Sequence, residues 1–291
     1  MANNTNKKIN KILVVGLGLI GASLCRTLKN NSNYEKIFGH DCDKEVMQYA
    51  LENNFIDETK INLKNGIKDS DLIVLCVPIH QIKKILDIIK EFFDSEKIFT
   101  DTLSVKNSIL DFMDNNKFGK TDNFILSHPM AGTENFGIKN SNDNLFLNSV
   151  TLISPLDFSN LDNVNAVKDF WKSVNCNIVE VDPYDHDRHL AAISHSPHLI
   201  SFALSKIIND LEYEKEFPWI HSKGSLSDMT RIANSEPEAW ASIFKDNQEN
   251  IIDFIDEYLG ELNELKARIM IDDQHEFDDL VSYLKNSKPV K

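Results

Sequence analysis

Three glycines near the start of the chain, Gly16, Gly18 and Gly21, have the G-x-G-x-x-G spacing of a turn that binds dinucleotides. The apolar residues 11–15 before them predict a buried strand, and the residues after Gly21 predict an amphipathic helix. In such a turn the first glycine permits a sharp bend, the second lets a pyrophosphate approach the backbone, and the third lets the helix pack on the strand. The free N–H groups at the helix N-terminus then favour the phosphates.

An acidic residue follows the next predicted strand, residues 36–40, at the position where dinucleotide-binding folds hold the adenosine ribose. This residue is Asp41, and its carboxylate would repel a 2′-phosphate. NAD is therefore favoured over NADP, although Lys44 leaves NADP as an alternative. A helix N-cap is the other interpretation of Asp41. The predicted cofactor contacts are Gly16, Gly18, Leu19, Ile20, Gly21, Asp41, Val77 and Pro78.

A histidine, His128, stands at the end of a further apolar segment, residues 123–127, and is followed by Pro129. Ligands of a doubly wound sheet bind at the carboxyl ends of its strands, so His128 is expected beside the cofactor. An imidazole with a pKa near its ordinary value of about 6.5 can accept a proton at neutral pH. The position favours a general base over a purely structural histidine.

Two further histidines and one arginine predict a polar pocket in the second half of the chain. His195 and His198 are three residues apart and share a helix face. No third ligand at metal spacing accompanies them, so a substrate pocket is favoured over a metal site. Arg231 can bind a carboxylate through two parallel hydrogen bonds, and its alternative is a surface salt bridge with Asp228 or Glu134.

The elements that must position these residues divide the chain into two parts. Short apolar segments alternate with helical segments as far as residue 182, which is the pattern of a doubly wound, mainly parallel Rossmann sheet. The continuous apolar run 71–77 is typical of a strand buried on both faces. Residues 183–291 carry no strong strand signal. The α/β fold class predicted is an NAD-binding Rossmann domain, residues 1–182, followed by an all-α substrate and dimerisation domain, residues 183–291.

A long helix is predicted to begin at the segment Ser235-Glu236-Pro237-Glu238. Apolar residues then recur at intervals of three and four as far as Ile269, which forms one apolar stripe. Such a stripe in a small helical domain needs a partner, so we expect a homodimer interface. Packing within the same domain is the alternative. A preceding helix, residues 187–211, is expected to kink at Pro197.

The overall composition excludes several classes of protein. The 291 residues include 31 basic and 45 acidic side chains, for a net charge of −14, which argues against nucleic acid or an anionic membrane as a partner. Four scattered cysteines suggest neither a zinc site nor a disulfide framework. The polar N-terminus lacks a signal-peptide core, and no apolar run is long enough to span a membrane. A cytoplasmic protein without a bound metal is predicted.

Three segments together resemble the prephenate/arogenate dehydrogenases. They are Ser-His-Pro-Met-Ala-Gly-Thr-Glu at residues 127–134, Ser-His-Ser-Pro-His at 194–198 and Asp-Met-Thr-Arg-Ile-Ala at 228–233. The resemblance extends from about Lys11 to Leu265. It implies an NAD(P)-dependent oxidative decarboxylation in tyrosine biosynthesis, carried out by a Rossmann domain and a helical domain that forms a homodimer.

The resemblance also implies roles for individual residues. His128 matches a catalytic histidine that accepts the proton of the ring hydroxyl, and Ser104 matches a serine that orients this hydroxyl and the nicotinamide. His198 and Arg231 match residues that hold the anionic groups of the substrate. The remaining matches complete the pocket or shape access to it, and they are Ser194, His195, Gly224, Thr133, Glu134, Asp228 and Trp240. Trp240 could come from the partner chain.

The reaction expected from this resemblance converts prephenate and NAD to 4-hydroxyphenylpyruvate, carbon dioxide and NADH. An arogenate (cyclohexadienyl) dehydrogenase is the first alternative, and His198 suits a keto-acid side chain better than an ammonium. A β-hydroxyacid dehydrogenase is a more distant alternative, but the helix that would carry its lysine base has His195 and His198, with Lys206 two turns further on. A dinucleotide-sensing protein without turnover is the non-enzymatic alternative.

Overall fold

A computed structural model describes residues 8–30, 33–93, 95–116, 121–133, 135–210, 224–270 and 274–289. Within these ranges, eight strands form one sheet with the order β3-β2-β1-β4-β5-β6-β7-β8. The strands are β1 (Lys11–Val15), β2 (Lys36–His40), β3 (Glu58–Thr59), β4 (Leu72–Leu75), β5 (Ile98–Asp101), β6 (Phe124–Pro129), β7 (Val150–Ser154) and β8 (Asn177–Glu180). All neighbours pair in parallel except β6 and β7.

Helices cover the sheet and form the second part of the chain. Those of the first part are α1 (Leu19–Asn30), α2 (Lys44–Glu52), α3 (Leu63–Asp69), α4 (Ile79–Ile89), α5 (Asn107–Asn115) and α6 (Leu161–Ser173). Those of the second part are α7 (Pro183–Leu190), α8 (Ser196–Asp210), α9 (Ser225–Thr230), α10 (Pro237–Asp246), α11 (Gln248–Met270) and α12 (Gln274–Asn286). The predicted fold class, a mainly parallel doubly wound sheet followed by a helical domain, is confirmed.

The order of the strands places the nucleotide crevice. The chain runs outward in one direction from β1 to β2 and β3, and then returns to the other side of β1 to form β4. Ligands of such sheets bind where the order reverses, outside the carboxyl ends of the two central strands. The turn that begins at Gly16 follows β1, and Val77 and Pro78 follow β4. The predicted cofactor residues therefore meet at this crevice.

The two central strands are apolar except for Lys11 at the start of β1, because helices cover both faces of the sheet. Leu13 and Ile73 contribute to a buried cluster with residues of α3, α4 and α5. Val14 and Val74 point to the other face and join a cluster with residues of α1 and α6. Successive side chains of a strand alternate between faces, so a continuous apolar run is needed to fill both clusters.

Two parts of the chain differ from the sequence expectations. The segment between α2 and β4, where no apolar run indicates a strand, contains the short strand β3 and helix α3, whose N-cap is Asn62. The predicted long helix is interrupted at Asn247, which separates α10 from α11. Asn247 is fully buried, and its side-chain amide is bound by other parts of the chain. Tertiary hydrogen bonds at one residue therefore break a helix that periodicity alone predicts as continuous.

A π-helix, Ala191–His195, joins α7 to α8 where a single kinked helix was predicted. Pro197 lies one residue into α8 and has no N–H to donate to the preceding turn. Single π-turns inside α-helices relieve such a mismatch and often occur at functional sites. Among the described residues, no helix combines the length and apolarity needed to cross a bilayer.

Candidate active site

The glycine turn has the geometry that its spacing predicts. Gly16 has a φ of +92°, and a Cβ placed on it would lie 2.5 Å from the carbonyl oxygen of Cys76. A Cβ on Gly21 would lie 1.9 Å from the carbonyl oxygen of Gly16, so α1 can approach β1 only with glycine at this position. A Cβ on Gly18 would meet no atom of the described part of the chain within 4 Å. Open space thus borders the backbone at the N-terminus of α1, where a pyrophosphate fits.

Asp41 faces this glycine turn and is not the N-cap of α2. Its Oδ2 accepts a hydrogen bond from the N–H of Leu17 at 2.7 Å, and its Oδ1 accepts one from the N–H of Asp43 at 2.9 Å. The N-cap is Asp43, which accepts from the N–H of Glu45. The carboxylate of Asp41 therefore lies at the edge of the crevice and has further lone pairs for ribose hydroxyls.

His128 lies in β6 at the carboxyl side of the sheet, and 7% of its surface is exposed. Its Nδ1 is 3.1 Å from Nε2 of His186, and Nδ1 of His186 is 2.7 Å from Oδ1 of Asp187. His186 and Asp187 belong to α7 and are buried. The helical domain thus supplies a histidine and a carboxylate to the residue predicted as the base.

Burial sets the protonation of His128. Removal from water lowers its pKa well below the ordinary value, and the positive charges that His186, Lys106 and His195 can carry lower it further. The pKa of His186 is also lowered by burial, while Asp187 opposes that shift. His128 is therefore neutral at physiological pH, which is the form that can accept a proton.

A buried ion pair supports the backbone around His128. The ammonium of Lys106 donates to the Asp101 carboxylate, to the carbonyl of Leu103 at 2.8 Å and to the carbonyl of Ser127 at 2.7 Å. Asp101 in turn accepts from the N–H of Ser127 at 3.0 Å. Lys106 and Asp101 are fully buried. The N–H and the carbonyl of Ser127, the residue before His128, are thereby both held by hydrogen bonds.

His198 is held on two sides. Its ring stacks on that of Trp240, with centroids 3.6 Å apart and planes inclined by 18°. Its Nδ1 donates to the carbonyl of Ser194 at 2.9 Å, so the Nε2 of the neutral ring is an acceptor. Trp240 contacts this histidine of its own chain. Burial lowers the pKa of His198, and the positive charge of Arg231 lowers it further.

His195 is fully buried and presents an unpaired donor. The side-chain amide of Asn247 donates to Nδ1 of His195 at 2.9 Å, and its orientation is fixed because Asn250 donates to its Oδ1 at 2.7 Å. The neutral ring therefore carries its hydrogen on Nε2. That atom has no hydrogen-bond partner within the described residues. Burial lowers the pKa of His195 to about 4.

The other predicted pocket residues lie nearer the surface. Arg231, Thr133 and Asp228 are exposed, and Ser104 is half-buried in the loop after β5. Within the described part of the chain, Arg231 forms no ion pair with a carboxylate, Asp228 included. Gly224 has a φ of +77°, and a Cβ placed on it would meet no atom of the described residues within 4 Å. Glu134 lies outside the described residues.

Four polar residues of this region escaped the sequence reasoning as functional candidates, namely Lys106, His186, Asp187 and Asn247. None of the four carries a local signal in the sequence. Among the residues that the structure describes, no group of three or more histidine, cysteine or acidic side chains is arranged to hold a metal ion.

Comparison with known families decides between the interpretations that this geometry permits. Residues 24–180 match the model of the prephenate dehydrogenase nucleotide-binding domain. Residues 182–286 match the model of the prephenate dehydrogenase dimerization domain. The chain belongs to the prephenate dehydrogenase family. It is therefore an oxidoreductase with a nucleotide-binding domain, and this family membership favours neither a binding protein without turnover nor a β-hydroxyacid dehydrogenase.

Individual relatives of this family are similar to almost the whole chain. Prephenate dehydrogenase of Bacillus subtilis is 29% identical over 286 residues, which are 97% of this chain and 76% of the relative. Cyclohexadienyl dehydrogenase of Zymomonas mobilis is 28% identical over 96% of this chain and 94% of its own length. A crystal structure of prephenate dehydrogenase from A. aeolicus in complex with hydroxyphenyl propionate and NAD+ has a TM-score of 0.86 and 28% identity, covering 97% of each chain.

Proposed function

We propose that this chain is a prephenate dehydrogenase that converts prephenate and NAD to 4-hydroxyphenylpyruvate, carbon dioxide and NADH. The observation that supports it most is His128, a buried neutral imidazole at the carboxyl edge of the sheet beside the nucleotide crevice. The relatives from Bacillus subtilis and A. aeolicus carry the name of this activity. The A. aeolicus structure also binds a hydroxyphenyl acid together with NAD+.

The chemistry needs one base and a positioned ring. When bound, NAD supplies the acceptor for the hydride of the ring carbon that bears the hydroxyl. His128 accepts the hydroxyl proton at Nε2, since its Nδ1 faces His186. The ring carboxylate leaves as carbon dioxide, and the ring becomes aromatic. His128 then returns the proton to the phenolate oxygen, and Ser104 orients this oxygen.

NAD is the proposed cofactor in preference to NADP. Gly16, Gly18 and Gly21 provide the turn, with Leu19, Ile20, Val77 and Pro78 around it. The Asp41 carboxylate at the edge of the crevice suits ribose hydroxyls and repels a 2′-phosphate. Its two hydrogen bonds, from the backbone N–H groups of Leu17 and Asp43, hold the carboxylate at this position.

The substrate carboxylates are proposed to bind among His195, His198 and Arg231, and a bound carboxylate favours protonation of His198 at Nε2, which then donates to it. Arg231 is exposed but close enough for its charge to lower the pKa of His198. His195 offers a buried Nε2–H that has no partner among the described residues, and such a donor costs free energy unless a ligand accepts from it. Ser194, Gly224, Thr133, Glu134, Asp228 and Trp240 are proposed to complete the pocket.

A homodimer formed by the helical domain completes the proposed assembly. α11 exposes Ile252, Leu259, Leu262 and Ile269, whose exposed fractions range from 42% to 68%. Large exposed apolar side chains along one helix mark a contact surface. The match to a dimerization-domain model supports the same assembly. A boundary at residues 182 and 183 and a cytoplasmic location stay predictions from the sequence.

The second candidate is arogenate, which carries an ammonium in place of the keto group. The similarity to the cyclohexadienyl dehydrogenase of Zymomonas mobilis supports arogenate as a candidate substrate. His198 donates through Nδ1 to Ser194, so its Nε2 accepts a hydrogen bond from an ammonium only when the ring is neutral.

One assay tests the proposed function. NADH or NADPH formation is followed with purified protein and prephenate, arogenate or a 3-hydroxyacid, each with NAD and with NADP. The proposal expects the largest kcat/KM for prephenate with NAD. A larger kcat/KM for arogenate supports the second candidate, and no turnover of either cyclohexadiene contradicts both.

A further inference from the structure

The direction of two hydrogen bonds fixes the hydrogen positions on His128. A carboxylate can only accept, so Nδ1 of His186 carries a hydrogen and donates to Asp187 at 2.7 Å. The pKa of His186 is lowered by burial, so its ring is neutral and its Nε2 is an acceptor. Nδ1 of His128 therefore donates to that nitrogen at 3.1 Å. The lone pair of the neutral His128 is left on Nε2.

Asp187, the last member of this series of hydrogen bonds, links the helical domain to the first domain. The Asp187 carboxylate accepts from the N–H of Lys106 with both oxygens, at 2.9 and 3.0 Å, and from the N–H of Asn107 at 2.9 Å. These N–H groups belong to the start of α5, where a helix leaves its first donors unpaired and favours negative charge. A carboxylate held by three such bonds and by His186 cannot rotate away. The helical domain thus provides a fixed negative charge, Asp187, which is separated from the reacting proton by the rings of His186 and His128.

We propose that His186 and Asp187 are positioning residues that hold His128 in the tautomer with a free Nε2 and share the positive charge that it acquires. This inference rests on the proposed role of His128 as the base. When Nε2 of His128 gains the hydroxyl proton, the Nδ1–H bond to His186 can break while a new N–H bond forms at Nε2 of His186. The charge then lies next to Asp187, which stays a carboxylate. Reversal of both transfers returns the proton to the phenolate.

The intervening imidazole has a physical purpose that a direct carboxylate would not serve. An acid in contact with His128 would raise the pKa of that residue and keep it protonated before substrate arrives. Placing His186 between them moves the negative charge one ring away, so the resting base stays neutral. Among the described residues, the other groups whose charges act on His128 are Lys106 and His195, and both can carry only positive charge. Asp187, reached through His186, is the negative partner for the imidazolium.

Substitution of His186 separates positioning from packing. His186→Leu removes the acceptor for His128 Nδ1–H, whereas His186→Gln offers a side-chain carbonyl in its place. We expect kcat for prephenate oxidation to fall about 10²-fold or more in His186→Leu, with partial recovery in His186→Gln. His189→Gln is the matched control, since His189 is exposed on the same helix, and its kcat should equal that of the wild type.

The pH profile provides a readout that a structural role would not move. Asp187→Asn removes the negative charge that stabilises the imidazolium pair, so the acid limb of kcat/KM should move to lower pH. Equal losses of kcat in His186→Leu and His186→Gln together with an unmoved acid limb in Asp187→Asn would overturn the inference. If His186→Leu does not fold, the kcat of His186→Gln and the Asp187→Asn profile decide alone. A wild-type protein that fails to oxidise prephenate contradicts the proposed function instead.

Discussion

Replacing His128 by asparagine removes the proton acceptor while keeping its other hydrogen bond. The asparagine amide can donate to Nε2 of His186 as Nδ1 of His128 does at 3.1 Å, and the smaller side chain fits within the same buried space. An amide has no basic lone pair, so the hydroxyl proton has no acceptor. General bases contribute about 10²–10⁴-fold, so kcat should fall by that factor, equivalent to about 2.7–5.5 kcal/mol of barrier.

The same substitution should change the pH dependence in a defined direction. Burial holds the pKa of His128 well below about 6.5, so wild-type activity should persist as pH falls through 6.5 and decline only further into acid. His128→Asn should lack this acid limb. The assay is NADH formation over a pH series at saturating and limiting prephenate, with KM expected to change little. A loss of less than tenfold in kcat, or an acid limb that survives the substitution, would refute the reasoning.

Three further substitutions, the last with a control, test the surrounding residues. Arg231→Ala should raise the KM for prephenate about 10–100-fold with little change in kcat, since charged hydrogen bonds contribute about 1.5–3 kcal/mol; an unchanged KM excludes the carboxylate contact. Asp41→Ser should lower the ratio of kcat/KM for NAD over that for NADP by about tenfold or more, and a constant ratio contradicts the ribose contact. Lys106→Met leaves a buried carboxylate without its counter-charge and should lower the free energy of unfolding in urea by about 3–5 kcal/mol. Lys206→Met, which breaks an exposed pair, should cost less than about 1 kcal/mol, and equal losses would contradict the burial argument.

The fold was predictable wherever one element carries its own signal. The runs at β1 and β4 are apolar because both faces of those strands are covered, and the chain shows this directly. β3 has only two residues, Glu58 and Thr59, and is recognisable only through its pairing with β2. The break at Asn247 likewise depends on partners about 50–60 residues away, so periodicity gave a continuous helix.

The residues of the candidate site also divide into those that carry a signal in the sequence and those that do not. His128 was predicted at a strand end, and the structure has it in β6 at that edge. His186 and Asp187 were not predicted, because the sequence placed the start of this helix at residue 187, whereas α7 begins at Pro183 with Asp182 as its N-cap. Lys106 resembles any solvated charge in the sequence. Its burial follows from the sheet order, which brings Asp101 and the carbonyl of Ser127 to its ammonium.

Hydride transfer from prephenate tests the central claim most directly. Prephenate that carries deuterium on the ring carbon bearing the hydroxyl is mixed with wild-type protein and NAD, and the reduced cofactor and the organic product are analysed by mass spectrometry. The proposed function predicts deuterium on the nicotinamide ring, with 4-hydroxyphenylpyruvate and carbon dioxide formed in equal amounts. Unlabelled NADH, or a product that retains the ring carboxylate, would contradict it.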